Sequence, residues 1–209
     1  FMKKLFLILF ISLGLIGPAN ANSIEGAFGY KLGQVVKDVK TEVRILFENT
    51  DQAYIEISSN KDFIPKKPLP GKHTYSISTT LEDKKIWGIH VRLIRSPSDD
   101  NFNDCQPDYG YFRKIVEFYE AKYGEFNKTR DDGERYSGLT YSFTKGKRNI
   151  RISCSREVLW NKTGYYNFGI SYFDYKLRDL ATKEEEKPYN EALKKMKQKI
   201  IEESKEYDI

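Results

Sequence analysis

The chain has few histidine, cysteine and tryptophan residues, with two of each among 209 residues. Zinc sites need clusters of cysteine and histidine, and the sequence contains no Cys-x-x-Cys pair, which argues against a metal centre. The motifs Gly-x-Ser-x-Gly, His-Glu-x-x-His, Gly-x-Gly-x-x-Gly and the P-loop are also absent from the sequence. We therefore predict no catalytic residue, no metal ligand and no cofactor.

An excess of one charge is also lacking. Lysine and arginine number 35 against 30 acidic residues, which gives a net charge of +5. This balance is not typical of nucleic-acid-binding domains, and it does not suit an anionic membrane surface. The longest apolar run, residues 5–16, is shorter than the roughly 20 residues that a membrane helix needs. We predict no nucleic-acid partner and no membrane span after residue 21.

The first 21 residues have the pattern of a secretory signal peptide. Two lysines at 3–4 precede the apolar run 5–16, a Gly-Pro pair follows, and the small residues of 19–21 suit a signal peptidase. Cleavage after Ala21 would start the mature chain at Asn22, where no cysteine is available for a lipid. We predict a periplasmic or secreted protein without a lipid anchor.

The two cysteines are Cys105 and Cys154. In an oxidising compartment an even pair is typical of one disulfide, whereas free thiols or half of a metal site are the alternatives. The bond would close a loop of about 50 residues, which the chain-entropy model values at roughly 4 kcal/mol.

Hydrophobic periodicity predicts an α+β fold with antiparallel sheet. Alternating apolar residues indicate strands near 42–47, 73–79, 85–95, 139–143, 149–154 and 165–172. Between them, Phe112, Ile115, Val116 and Tyr119 recur at helical spacing before Gly124, where a helix C-cap belongs. We predict that this main helix packs its apolar stripe on the sheet, against the side that holds Ile150, Ile152, Phe168 and Ile170. A second, shorter helix is predicted near 33–40.

The last part of the chain is a charged segment. Tyr189, Leu193, Met196 and Ile200 form a narrow seam on a helix that Pro188 can begin. Residues 183–187 are all charged, so we expect this helix to be loosely attached. The predicted organisation is a signal peptide at 1–21, an α+β domain at 22–182 with possible halves 26–95 and 96–182, and a charged helix at 183–209.

Basic residues cluster on one predicted hairpin, at Lys145, Lys147, Arg148 and Arg151. Such a cluster is usually a charged hairpin that resists edge pairing, and the sharper interpretation is a small patch for an anionic ligand. His90 lies on a strand and His73 in a turn. An ordinary polar role is the simpler interpretation for both, because a general base needs a partner within hydrogen-bond reach.

Two polar motifs each have two interpretations. Residues 99–104 have the alternating Asp and Asn of a calcium loop, but Asp104 stands where that loop needs glycine, which favours an ordinary loop. Asn127 and Asn161 each begin an Asn-x-Thr acceptor, so either is a candidate for glycosylation.

The segment Gly-Ala-Phe-Gly-Tyr-Lys-Leu-Gly at 26–33, the cysteine pair and the helix end Lys122-Tyr123-Gly124 resemble a group of uncharacterised exported bacterial proteins. In element order the chain is also similar to β-lactamase inhibitor protein-like binding modules and to the small lipoprotein of the outer-membrane assembly machinery. The first resemblance implies no activity, the second implies binding without catalysis, and neither assigns a site residue.

Together these patterns favour an exported, non-catalytic binding or assembly module whose partner is an envelope protein or a glycan. The alternative is a cell-envelope hydrolase or a glycan-binding accessory protein. A pocket with two carboxylates about 5–9 Å apart would favour the hydrolase. An exposed apolar face or groove would favour the binding module.

Overall fold

The computed structural model describes residues 23–49, 52–69, 72–95, 110–132, 136–158 and 164–206. Within these residues the fold is α+β, as the periodicity predicts. The strands are β1 Gly26–Ala27, β2 Tyr30–Lys31, β3 Glu42–Asn49, β4 Gln52–Ser58, β5 Asn60–Asp62, β6 Thr74–Thr79, β7 Ile86–Arg95, β8 Asn127–Asp132, β9 Tyr136–Lys145, β10 Arg148–Val158 and β11 Gly164–Asp174. The helices are α1 Tyr111–Tyr123 and α2 Tyr175–Glu206.

The main sheet has seven antiparallel strands in the order β5-β6-β7-β11-β10-β9-β8. Hairpins join β6 to β7, β9 to β10 and β10 to β11, so most neighbours in space are neighbours in sequence. The pairs β1-β2 and β3-β4 form two small separate sheets. No helix in the described part of the chain is long and apolar enough to cross a membrane.

One face of the main sheet, which we call the covered face, packs against α1. The predicted helix stripe is confirmed: Phe112, Ile115, Val116 and Tyr119 are buried in one cluster with Ile150, Ile152, Phe168 and Ile170. The Phe112 ring centroid lies 6.1 Å from that of Phe168 in an edge-to-face contact. The Tyr172 hydroxyl donates to the Tyr119 hydroxyl at 2.7 Å, which satisfies two buried polar groups.

The glycine-rich N-terminal segment completes the covered face. Ile24 and Leu32 are buried in the core, and the Arg148 guanidinium donates to their carbonyl oxygens at 2.8 and 3.4 Å. The predicted helix at 33–40 is wrong. The N–H groups of Gly33 and Val36 donate to the carbonyls of Ile86 and Lys84, and the Gln34 carbonyl accepts the Ile86 N–H, so this segment pairs with the start of β7 instead of forming helical bonds.

The C-terminal helix differs from its prediction in where it begins. It starts at Tyr175, directly after β11, because the Asp174 carboxylate accepts the Leu177 N–H at 3.2 Å and caps the first turn. Pro188 is therefore inside the helix and does not begin it.

This helix is also docked on the body. Ala181 and Ala192 are buried, and the Glu184 carboxylate accepts the backbone N–H groups of Leu81 and Glu82, the latter at 3.1 Å. Glu184 belongs to the charged block that we expected to be loose. Hydrogen bonds from backbone N–H groups to Glu184 hold this block in place. The spacing of apolar residues in the sequence could not predict such bonds.

Candidate functional site

The second face of the main sheet carries three rows of residues that pair across the strands. The middle row runs Asp62, Ser76, His90, Ser171, Arg151, Ser142, Asn127, with one residue from each strand. The row on one side is Thr74, Arg92, Gly169, Ser153, Thr140, Thr129. The row on the other side is Asn60, Ser78, Gly88, Phe173, Asn149, Thr144. We call these three rows the polar face.

Short hydroxyl and amide side chains dominate the polar face. Larger side chains stand out at Phe173, His90 and two arginines. Gly88 makes room for the imidazole, since a Cβ at this position would lie 2.5 Å from His90 Nε2. The strand sequence thus leaves space beside the His90 ring.

A β-bulge brings Trp87 to the polar face. The register of β6 and β7 shifts next to the Thr79–Ile86 pair, which leaves Trp87 as an extra residue. Its ring centroid lies 6.0 Å from that of His90 and 6.4 Å from that of Phe173, with the Trp87 and Phe173 planes 16° apart. Simple alternation along β7 predicts Trp87 on the covered face with Ile89 and Val91, and this prediction is wrong because of the bulge.

Three half-buried rings form a row beside the polar face. The Phe173 and Tyr175 centroids are 6.2 Å apart with planes at 7°, and Trp87 lies on the other side of Phe173. The Arg178 guanidinium lies 6.0 Å from the Trp87 centroid, and that of Arg151 lies 5.9 Å from the Phe173 centroid. Cation–π attraction therefore holds both guanidiniums over the ring row.

Three arginines at this site have no carboxylate partner among the described residues. They are Arg92 and Arg151 of the polar face and Arg178 of α2, and all three are exposed. Elsewhere, ion pairs join Arg44 to Glu42, Arg113 to Glu117 and Arg148 to Asp174. The single carboxylate in the three rows is Asp62, on the edge strand β5. The site therefore carries uncompensated positive charge.

Hydrogen bonds around His90 fix which of its nitrogens carries the proton. Ser78 Oγ donates to Asn60 Oδ1 at 2.7 Å, and this bond uses the Ser78 proton. The contact between Ser78 Oγ and His90 Nε2 at 3.2 Å then requires Nε2–H as donor. Nδ1 is left to accept the Ser171 hydroxyl at 3.2 Å. The network assigns a neutral imidazole with its proton on Nε2.

The electrostatics agree with this assignment. Burial, and then the positive charges of Arg92 and Arg178, lower the pKa of His90 from 6.5 to about 4. Ser171 has the geometry of a nucleophile beside a base, but an imidazole with such a low pKa takes up a proton weakly near neutral pH. The arrangement suits recognition by hydrogen bonds better than proton abstraction.

The predicted anionic-ligand patch is divided by the structure. Alternation along β10 puts Arg148 and Arg151 on opposite faces, and Arg148 is engaged by Asp174 and the N-terminal segment. Lys145 is the exposed last residue of β9, and Lys147 lies in the exposed turn that follows it. Only Arg151 belongs to the polar face.

The other two arginines of the site, Arg92 and Arg178, were not predicted from the sequence. The alternation of β7 could have placed Arg92 beside His90. Arg178 has no such signal, because it comes from a different element that follows β11.

The remaining residues predicted from the sequence are the cysteine pair, the two candidate glycosylation sites and the loop at 99–104. Cys154 is buried on the covered face, and no described cysteine is a free thiol. Cys105 lies outside the described residues, so the pairing stays a prediction. Asn127 is the first residue of the edge strand β8. Asn161 and the loop at 99–104 lie outside the described residues. The described residues contain no group of three acidic, His or Cys side chains placed for a metal.

Two cavities lie away from the polar face. One of about 380 Å³ is next to the sheet edge, between Phe63, Tyr75, His73 and nearby prolines. The other, about 240 Å³, lies between β4 and α2 and is lined by Ile57, Glu185 and others. Burial, and then the charge of Glu184, raises the pKa of Glu185.

Comparison with known proteins gives little further information. No protein-family model and no curated protein matches the chain. One solved structure, that of LpqN, involved in cell envelope biogenesis of Mycobacterium tuberculosis, is 14% identical and covers 69% of this chain and 77% of its own. Its TM-score of 0.18 is too low to support a functional argument.

Proposed function

We propose that the chain is an exported, non-catalytic binding module whose polar face holds the ligand. The observation that supports this most directly is the set of three arginines, Arg92, Arg151 and Arg178, which have no ion-pair partner among the described residues and lie next to a neutral histidine. Exposed cations without partners on a surface of short polar groups favour a ligand that supplies negative charge. The resemblance to exported proteins and to non-catalytic binding modules is consistent with this role.

Export is the part of the proposal that rests on residues 2–21. Expression of the full chain in a bacterial host should yield a mature protein that begins at Asn22 in the periplasm or the medium. N-terminal sequencing measures this directly. A cytoplasmic protein that keeps the leader would contradict it.

A cell-envelope hydrolase is the second candidate. The pair of Ser171 Oγ and His90 Nδ1 at 3.2 Å is the observation that favours it. If Ser171 were a nucleophile, a serine-directed fluorophosphonate probe should label it, and Ser171→Ala should abolish the label. We expect no labelling, because the low His90 pKa leaves the hydroxyl unactivated.

The binding role is tested by retention of envelope material. The immobilised mature chain is exposed to an envelope extract, and bound protein and carbohydrate are measured. We expect the triple variant Arg92→Gln, Arg151→Gln, Arg178→Gln to lose most of the bound material. A matched control removes three exposed α2 charges, through Lys194→Gln, Lys195→Gln and Lys197→Gln. Equal retention by the two variants would contradict the proposal.

A further inference from the structure

The chemistry of the polar face is unusual for a protein–protein interface. Such interfaces have a well-packed core enriched in apolar and aromatic groups, surrounded by a polar rim. Here the rows consist mainly of hydroxyl, amide, glycine and guanidinium groups, with one imidazole, one carboxylate and one phenyl ring. The ring row of Trp87, Phe173 and Tyr175 lies at one end. A ligand that is itself rich in hydroxyl groups matches this surface better than an apolar protein patch does.

The dimensions of the polar face suit an extended ligand. Neighbouring strands lie about 4.8 Å apart, so the rows from β6 to β9 span about 19 Å. In the middle row β6, β11 and β9 contribute Ser76, Ser171 and Ser142, which are all partly accessible, and the two strands between them contribute an imidazole and a guanidinium. A chain of polar units can therefore cross several strands and meet a donor or acceptor at each one.

The arginines add a requirement for negative charge on that ligand. Arg92 and Arg151 occupy neighbouring rows, and Arg178 reaches the same region from α2. Guanidinium groups form two-point hydrogen bonds with carboxylate, sulfate or phosphate. The rings under Arg151 and Arg178 restrain these side chains, which reduces the entropy that they lose on binding.

We propose that the polar face binds an acidic polysaccharide, whose hydroxyl groups pair with the serine and threonine rows and whose acid groups pair with Arg92, Arg151 and Arg178. This inference rests on the proposed binding function and names its ligand class. A nucleic acid or a simple polyanion would satisfy the arginines but would make no particular use of the hydroxyl rows.

The test uses ligands that differ in one property at a time. Dextran, carboxymethyl-dextran and dextran sulfate share one sugar backbone, with and without acid groups, and polyphosphate carries charge without sugar. Binding of the mature chain to each is measured by isothermal titration at constant ionic strength. We expect the two acidic dextrans to bind at least about tenfold more tightly than either dextran or polyphosphate, because only they satisfy both sets of groups.

Variants separate the two sets of groups. Arg92→Gln with Arg151→Gln should weaken binding of the acidic dextrans by about tenfold per arginine removed. Ser153→Val with Ser171→Val, which removes two hydroxyls, should weaken the acidic dextrans while leaving polyphosphate unchanged. Lys194→Gln with Lys195→Gln is the matched charge control and should change nothing. These lysines lie at least about 24 Å along α2 from Arg178, at 1.5 Å per residue.

Each other outcome overturns the inference in a distinguishable way. Equal binding of dextran and its acidic forms would leave a binding module but remove the acidic requirement. Polyphosphate binding as tight as that of the acidic dextrans would remove the sugar requirement. If none of the four binds while envelope material is still retained through the three arginines, the ligand class is wrong and the proposed function stands. If neither is observed, both fail.

Discussion

The two faces of the main sheet are built by the same strands and have opposite character. On the covered face, Ile77, Ile89, Ile150, Ile152 and Ile170 are completely buried at 0% exposure. On the polar face, the residues that alternate with them are serine, asparagine, glycine, histidine and arginine. Most of the free energy of folding from burial is therefore gained on one side. The other side is free to carry groups that the fold does not need, which is why we place the ligand there.

The largest effect is expected from a change on the covered face. Phe112→Ala should lower the free energy of unfolding by about 3–5 kcal/mol, because the ring is 1% exposed and its loss leaves a cavity. Ile115→Ala, a smaller side chain of the same stripe, should cost about 2–4 kcal/mol. Urea unfolding measures both. Ser153→Ala on the polar face is the control and should stay within about 0.5 kcal/mol. If Phe112→Ala and Ser153→Ala lowered the free energy of unfolding by similar amounts, the covered face would not be the main source of stability.

The predicted disulfide ties the covered face to a distant segment. Cys105→Ala should lower stability by about 2–4 kcal/mol, since the bond would close a loop of about 50 residues. Cys105 is the better position to change, because Cys154 is buried and its own replacement would also disturb packing. Alkylation and mass spectrometry of the exported protein should find no free thiol. Two alkylated cysteines would rule out the bond.

Acid should act on the polar face through His90. The unfolded chain takes up this proton near pH 6.5, whereas the folded protein does so only near its lowered pKa of about 4. Proton uptake therefore favours the unfolded chain between these two pH values. The free energy of unfolding should be highest above pH 6.5 and should fall by up to about 3 kcal/mol as the pH falls towards 4. Unfolding curves at several pH values, compared with those of His90→Gln, measure it. Parallel pH profiles would show that His90 is not the group responsible.

A smaller effect is expected where α2 docks. Glu184→Ala removes the acceptor of two backbone N–H groups near the β6–β7 turn, and should cost about 1 kcal/mol because water can replace part of the interaction. The exposed Glu191→Ala on the same helix is the control. A loss no larger than that of the control would mean that Glu184 does not fix the helix.

The smallest effect on stability is expected from the arginines themselves. Arg92→Gln should change the free energy of unfolding by no more than about 0.5 kcal/mol, because the side chain is exposed and has no ion pair among the described residues. It should nevertheless raise the His90 pKa, since its charge is one of the causes of the lowering. Histidine titration by NMR measures this. A strong loss of stability would assign Arg92 to the fold.

The sequence predicted the covered face well because its signals are local. The α1 stripe from Phe112 to Tyr119 and the apolar alternation of β7, β10 and β11 need only short-range periodicity. The same rule failed at Trp87, where the pairing of β7 with β6 introduces one extra residue. It also failed at 33–40, where backbone N–H groups of an otherwise helical pattern are used by a neighbouring segment.

The candidate site was predicted only in part for a related reason. Arg151 was predicted as part of an anionic-ligand patch, but Lys145, Lys147 and Arg148 of that patch do not lie on the polar face. The other two arginines of the site, Arg92 and Arg178, come from β7 and α2, and Trp87 reaches the polar face through the bulge. Tertiary pairing assembles this group, so spacing along the chain could not show it.

The anchoring of the N-terminal segment has a consequence for the biogenesis of the protein. Arg148 holds the carbonyl of Ile24, a buried residue two positions after the predicted mature start at Asn22. A protease needs its substrate segment extended and unbound, so the folded core leaves little free chain at the cleavage site. If the leader is cleaved after Ala21, as the sequence predicts, its removal should therefore precede closure of the N-terminal segment over the sheet.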